Sequence, residues 1–431
     1  MQNGNNNKTT ATILTLIFPF GGLIYTLSHW REWWAKNAFW LACIFLGAVQ
    51  IFCKEGTILG SSGDGGRYVL KLMEMYNNPS VSISSIISDF LDSSNEMVVD
   101  LYQPLITLLV SRITDNGHVL FAVFACVFGF FYSRNIWYIL EKLPNKRLGY
   151  LVILVSLFFL TCPITQINGV RMWTALHVFA YGLMPFLLEH DKSKLWWVLL
   201  TPFIHFSYLY VAIFAFVFYL MPFRLKTKSG WMLYLAIVFY IVTLFVTSLN
   251  LTGVNNLINE YSFESHEERL SEYVSQDFFD AGVEMSAKRN WYVAGSSNVI
   301  HWVYSILLIV ILPCIKRYFQ GEKGLLHLYL FALLFGGFAN IMALLPAGGR
   351  FQLLSQMFKI PLFLLVAMKL QVNNVFNKYF NIACIVLLLP LIFRIRVLLE
   401  YYSITAILGN FITVLFWENN VPLIDFIKRI V

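Results

Sequence analysis

Apolar runs long enough to cross a lipid bilayer recur along the whole chain, and no other feature limits its fold so strongly. A span needs about 20 apolar residues and must be helical, because hydrocarbon offers the backbone no hydrogen-bond partner. Such runs fall near 9–28, 36–53, 117–140, 148–163, 167–188, 230–249, 296–316, 324–345, 352–369 and 378–397. A further stretch, 195–221, is too long for one ordinary span and too short for two. Composition agrees: 58% of residues are hydrophobic and 13% charged, whereas a soluble domain carries about 25% charged residues. The expected fold is an all-α polytopic membrane protein, a single integral-membrane domain over 1–431 with about 12 transmembrane helices including a short broken pair.

Charge then sets sidedness. The formal charge is +7, yet no basic stripe interleaved with aromatics appears, so nucleic acid is not an expected partner. The cations collect in short loops instead: Arg31/Lys36, Lys142/Lys146/Arg147, Lys192/Lys194, Arg224/Lys226/Lys228, Lys316/Arg317/Lys323 and Lys369/Lys378. If all six loops face the cytoplasm, the chain crosses an even number of times between Lys194 and Arg224. The 195–221 stretch should therefore enter and return as two short helices turning near His205, with irregular backbone buried in protein or lining a wet cavity. The N-terminus, the 54–116 loop and the 250–295 amphipathic segment then lie outside, and the 398–431 tail either stays there or crosses once more through 402–417. The polar leader has no small-residue cleavage site after its apolar run and reads as retained. The six cysteines sit in or beside apolar runs without CxxC spacing, so neither a disulfide framework nor a metal site is expected.

Ionisable residues placed against this pattern are the functional candidates, because charge inside a bilayer is costly. Arg171 stands at the outer start of a span in TQINGVRMW, with Thr165 placed to cap a helix and Asn168 one turn before it. Arg350 follows Gly348 and Gly349 at another outer helix start, where backbone N–H groups, the helix dipole and a guanidinium can converge on a phosphate. Asp64, in the Gly-rich GDGGRY with Arg67 and Tyr68, can serve as a base at an outer cavity; the same spacing suits a solvated Asx-type turn. His205, with Ser207 beside it, is a second base candidate at the expected break. Arg394 and Arg396 read as snorkelling side chains, and Lys359, His177 and His301 as interior partners. No P-loop, GxSxG or HExxH motif is present, which removes the usual signatures of nucleotide-driven and hydrolytic chemistry.

Taken in order, GDGGRY (Gly63–Tyr68), YQP (Tyr102–Pro104), INGVRMWTA (Ile167–Ala175), HFS (His205–Ser207), ERLSEY (Glu268–Tyr273) and GGRF (Gly348–Phe351) resemble the EpsG-type polysaccharide polymerases, relatives of the Wzy-type O-antigen polymerases. Here Gly65 follows the aspartate where many relatives carry an aromatic. The resemblance implies a GT-C-like glycosyltransferase of the bacterial inner membrane. It would move a glycan from undecaprenyl diphosphate onto a second lipid-linked repeat unit at the outer face, without metal or cofactor. Arg171 and Arg350 would hold the diphosphate, and Asp64 or His205 would activate the acceptor hydroxyl. Arg67, Tyr68, Gln166, Asn168 and Ser207 would complete the substrate site. Expected partners are the lipid-linked donor and acceptor, membrane lipid and a chain-length regulator protein. An O-antigen-ligase-like transferase and a flippase of lipid-linked glycans are the rival readings.

Overall fold

The computed structural model describes residues 2–52, 63–91, 100–143, 149–221, 231–247, 290–318, 321–345, 348–370, 375–416 and 420–430. Most of the 250–295 segment lies outside them. The described residues form helices, with no strand beyond an isolated bridge between Gln50 and Tyr402. The protein is an all-α polytopic membrane protein.

In chain order the helices are α1 (Gln2–Ile17), α2 (Pro19–Ser28), α3 (Ala35–Ala48), α4 (Asp64–Asn77), α5 (Ile83–Leu91), α6 (Tyr102–Ser111), α7 (Gly117–Leu140) and α8 (Gly149–Phe159). A 3-10 turn, Ile164–Gly169, leads into α9 (Val170–Glu189), followed by α10 (Trp196–Ile204), α11 (Tyr208–Leu220) and α12 (Trp231–Phe245). After the undescribed stretch come α13 (Trp291–Val310), α14 (Leu312–Tyr318), α15 (Lys323–Met342), α16 (Gly349–Lys369), α17 (Val375–Leu398), α18 (Thr405–Leu408) and α19 (Leu423–Ile430). The innermost is α16, whose apolar window is 89% buried. Its Phe358 packs edge-on against Phe331 at 4.8 Å and also meets Phe179 and Phe335. Lipid tails are as apolar as these rings, so close packing rather than escape from water holds the helices together here.

The basic loops gather at one end of the bundle. Lys36 pairs with Glu141 at 3.2 Å, Lys142 with Glu189, Lys369 with Glu322, and Lys316 with the Tyr234 hydroxyl. Lys192 reaches the Tyr219 hydroxyl at 3.1 Å, so α10 leaves this basic end and α11 returns to it. The two helices turn at His205–Ser207, where His205 is extended and Pro202 already withholds one helical N–H. At about 1.5 Å per residue neither arm spans the roughly 30 Å hydrocarbon.

The chain start differs from its reading as a span over 9–28. Phe18 breaks the helix before Pro19, and α2 folds back on α1 so closely that a Cβ on Gly22 would lie 2.5 Å from the Thr15 Cα. Lys8 stands 5.0 Å over the Trp33 ring, so the hairpin begins and ends at the basic end. The N-terminus therefore lies with Arg31 and Lys36, opposite to the expected side: apolar length suggests a span, but a proline without an N–H at the middle of the run ends the helix.

The tail does not cross either. The Ile51 N–H donates to the Tyr401 carbonyl at the far end of α3, and the Leu423 N–H returns to the Tyr402 carbonyl at 2.7 Å. Among the described residues between Tyr402 and Leu423 the helical elements are α18 and a three-residue 3-10 turn. Arg394 also departs from snorkelling. Its guanidinium turns inward to the Leu160 carbonyl at 3.2 Å and to Gln356 at 2.8 Å, capping the C-terminal end of α8. Arg396 pairs with Glu400 at 2.8 Å and covers the Tyr292 ring.

Candidate active site

Asp100 lies beside the broken helix pair, where the Leu101 N–H donates to the Phe203 carbonyl at 3.0 Å. This inserts the Asp100 carboxylate, 1% exposed, between three groups. Arg171 Nη1 donates to its Oδ2 at 3.0 Å, and the Phe206 N–H donates to its Oδ1 at 2.7 Å. The His205 Nδ1 stands 3.4 Å from Oδ2, close enough for an ion pair but not aligned as a hydrogen bond. A buried carboxylate survives only with such compensation. The sequence reading missed Asp100 by treating 54–116 as outer loop. The available signal was a lone acid opening an apolar run immediately before Tyr102-Gln103-Pro104.

From Asp100 the contacts extend both ways. Arg171, a third exposed, also meets the Tyr68 hydroxyl and feels Asp64. On the other side the His205 and Tyr208 rings stand 6.4 Å apart, and the Tyr208 hydroxyl feels the charge of Arg350. Tyr68, Arg171, Asp100 and His205 thus form one chain of contacts, and the Tyr208 ring next to His205 carries a hydroxyl on which the charge of Arg350 acts. Arg171 and Tyr208 lie in the first turns of α9 and α11, and Asp100 stands two residues before α6, so the positive ends of these helices favour negative charge nearby.

The remaining candidates take specific places. Asp64 pairs with Arg67 three residues on, both at the surface of α4. Burial raises the Tyr68 phenol above its ordinary pKa, and the Arg171 charge offsets part of that rise. Gly65 lies so close to the 3-10 turn before α9 that an added Cβ would meet Asn168 Oδ1 at 2.4 Å. Gln166 is half-buried in the 3-10 turn, its N–H bonded to the Pro163 carbonyl. Ser207 turns to the Met172 sulfur at 3.8 Å. Arg350 is exposed and has no carboxylate partner among the described residues; the Gly348 N–H, expected to be free, already donates to the Leu345 carbonyl.

Several buried polar atoms around these contacts have no hydrogen-bond partner among the described residues: Asn168 Oδ1, the Tyr208 hydroxyl and the Tyr102 hydroxyl. Tyr102 faces Thr174 without an aligned bond. Unpaired buried polar atoms are rare in native proteins and mark places where water or a ligand completes the set. By contrast His177 is satisfied by the Cys162 carbonyl at 2.9 Å, and Lys359 donates to Tyr240 at 3.2 Å, as interior partners should. No cluster of metal-ligating side chains occurs among the described residues.

Residues 73–407 match the EpsG family, which is more than half of the chain. The chain belongs to the EpsG family. Membership makes it a polysaccharide polymerase-like protein of surface-polysaccharide biosynthesis. Asp100, Arg171, His205 and Arg350 fall within the matched EpsG stretch; Asp64, Arg67 and Tyr68 precede it. No curated protein and no solved structure matches the chain.

Proposed function

We propose that this EpsG protein polymerises a surface glycan by transferring it from a polyprenyl diphosphate, undecaprenyl diphosphate in a bacterial inner membrane, onto the sugar of a second lipid-linked repeat unit. One observation carries the reading: the buried Asp100 lies between Arg171 and His205, so a base and a partly open cation share one site, with the charge of Arg350 acting on the adjoining Tyr208. The site lies at the end of the bundle opposite the basic loops. With those loops cytoplasmic by the positive-inside rule, it faces the outer side.

In this mechanism the acceptor hydroxyl attacks the anomeric carbon of the donor. A new C–O bond forms as the bond to the phosphate oxygen breaks, and the lipid diphosphate leaves with the electron pair. Arg350 and the open face of Arg171 neutralise the growing charge on the diphosphate, aided by the nearby helix starts. The acceptor proton passes to His205 Nε2, which makes no hydrogen bond to the described residues, while Asp100 holds the other side of the ring and stabilises the imidazolium. Asp64, paired with Arg67, suits acceptor binding better than proton transfer, because its carboxylate is held by a cation at the surface. Tyr68, Asn168, Gln166 and Ser207 supply sugar-binding hydroxyl and amide groups.

The test is incubation of the purified full-length protein with lipid-linked repeat units. A ladder of products with released polyprenyl diphosphate supports the polymerase. A single added unit assigns a ligase-like transferase, and substrate moved across vesicles without chemistry assigns a flippase; either result overturns the proposal.

A further inference from the structure

At the basic end, far from the site above, α1 and α3 enclose a groove of about 470 Å³. Lys8, Thr12 and Asn37 line its polar end, Trp34 and Trp40 form its walls, and Leu41 and Ile44 line the deeper part. Ile44 lies ten residues beyond Trp34 along α3, about 15 Å of rise, which is half the thickness of the roughly 30 Å hydrocarbon.

Two cations flank the polar end, and neither is neutralised. Lys8 lies over the Trp33 ring at 5.0 Å. Arg134 enters from α7, donates to Asn37 Oδ1 at 2.6 Å and lies 5.0 Å over the Trp40 ring. Among the described residues neither has a carboxylate partner, although Lys36, Lys142 and Lys369 elsewhere at the basic end all do. An arginine inside an apolar helix without a counter-ion is costly unless an anion reaches it. A groove with unpaired cations and an amide at one end and aliphatic walls at the other matches one class of ligand.

We infer that this groove binds an anionic phospholipid of the leaflet at the basic end. Its phosphate meets Lys8 and Arg134 beside Asn37, and the upper part of an acyl chain lies along Leu41 and Ile44. A free phosphate would use only the polar end.

Native mass spectrometry of the detergent-purified full-length protein tests this with phosphatidylglycerol, phosphatidylcholine and inorganic phosphate as probes. The protein should retain phosphatidylglycerol over phosphatidylcholine. Lys8→Gln should weaken that retention about fivefold, and Lys8→Gln with Arg134→Gln about 25-fold, at roughly one such factor per basic charge. Phosphatidylcholine retention should not change. If the double variant fails to insert, Lys8→Gln alone reads the single step, because Lys8 is exposed on α1. Equal retention of the two lipids, an unchanged preference in Lys8→Gln, or displacement of phosphatidylglycerol by inorganic phosphate would overturn the inference.

Discussion

Asp100 accepts a hydrogen bond from Arg171 at 3.0 Å while almost wholly buried, so the arginine at the start of α9 is both a partner in an ion pair and a cation with a third of its side chain open. The two roles separate experimentally because they depend on different neighbours.

Removing Arg171 alone leaves the Asp100 carboxylate buried with only the Phe206 N–H and His205. Breaking a fully buried pair costs about 3–5 kcal/mol, and the partial exposure of Arg171 places this one at or below the lower bound. Arg171→Ala should therefore lose both stability and polymer. In Arg171→Met with Asp100→Asn the uncompensated charge is gone, so the melting temperature should recover while the ladder stays absent. Recovery of polymer in the double variant would reduce Arg171 to a structural role.

Asp100→Asn keeps the shape but cannot stabilise a protonated His205. A positioned general base contributes about a hundredfold to ten-thousandfold, and the variant should lose a rate within that range with lipid-linked donor still bound. His205→Ala should lose as much, and the double variant little more, because the pair acts as a unit. Additive losses would separate the two residues.

Much of the fold follows from charge and run length. Lys192 and Tyr219 meet because an even number of crossings must separate the basic loops, and the turn at His205 is where that rule puts it. Other features depend on physics that single-residue patterns do not carry. Asp100 stands just before a ten-residue apolar helix too short to span, and its burial comes from tertiary contacts, the pairing of Leu101 with Phe203 among them. Arg394, at a span end, suits snorkelling by depth alone; the free carbonyl at the end of α8 draws it inward. Pro19 withholds an N–H in the middle of a run that is long enough to cross, and the break there prevails over apolar length.

Gly65 marks the closest approach of α4 to the turn before α9. Gly65→Ala places a methyl group against Asn168 Oδ1 and must push the Tyr68 end of α4 away from Arg171. Because α4 is short and half-exposed, stability should change by less than about 1 kcal/mol, while polymer formation falls about tenfold or more. A rate unaffected by Gly65→Ala would detach α4 from the chemistry.

Tyr68 carries a phenol whose pKa is raised chiefly by burial, so it stays protonated throughout the neutral range and acts as a hydrogen-bonding hydroxyl. Tyr68→Phe should slow polymer formation roughly tenfold to a hundredfold, the value of a hydrogen bond with a charged partner, without altering the shape of the rate profile below about pH 10. The folded state holds this proton more tightly than the unfolded one. Its contribution to stability is therefore complete below the unfolded value near pH 10 and is lost as pH rises through the folded value. Loss of an alkaline limb below pH 9 in Tyr68→Phe would contradict the shift.

The hairpin of α1 and α2 assigns the N-terminus to the basic end, since Lys8 and Trp33 meet across it. A cytoplasmically active reporter fused before Met1 should give the same signal as one inserted between Lys192 and Lys194, and an outer-face reporter at either position should be silent. Insertion after Gly63 should reverse both signals. Gly22→Leu, whose side chain would collide with the Thr15 backbone, should open the hairpin and weaken the match between the first two reporters. An N-terminal reporter active on the same side as one at Gly63 would restore a full first span and place the α1–α3 groove in a different leaflet.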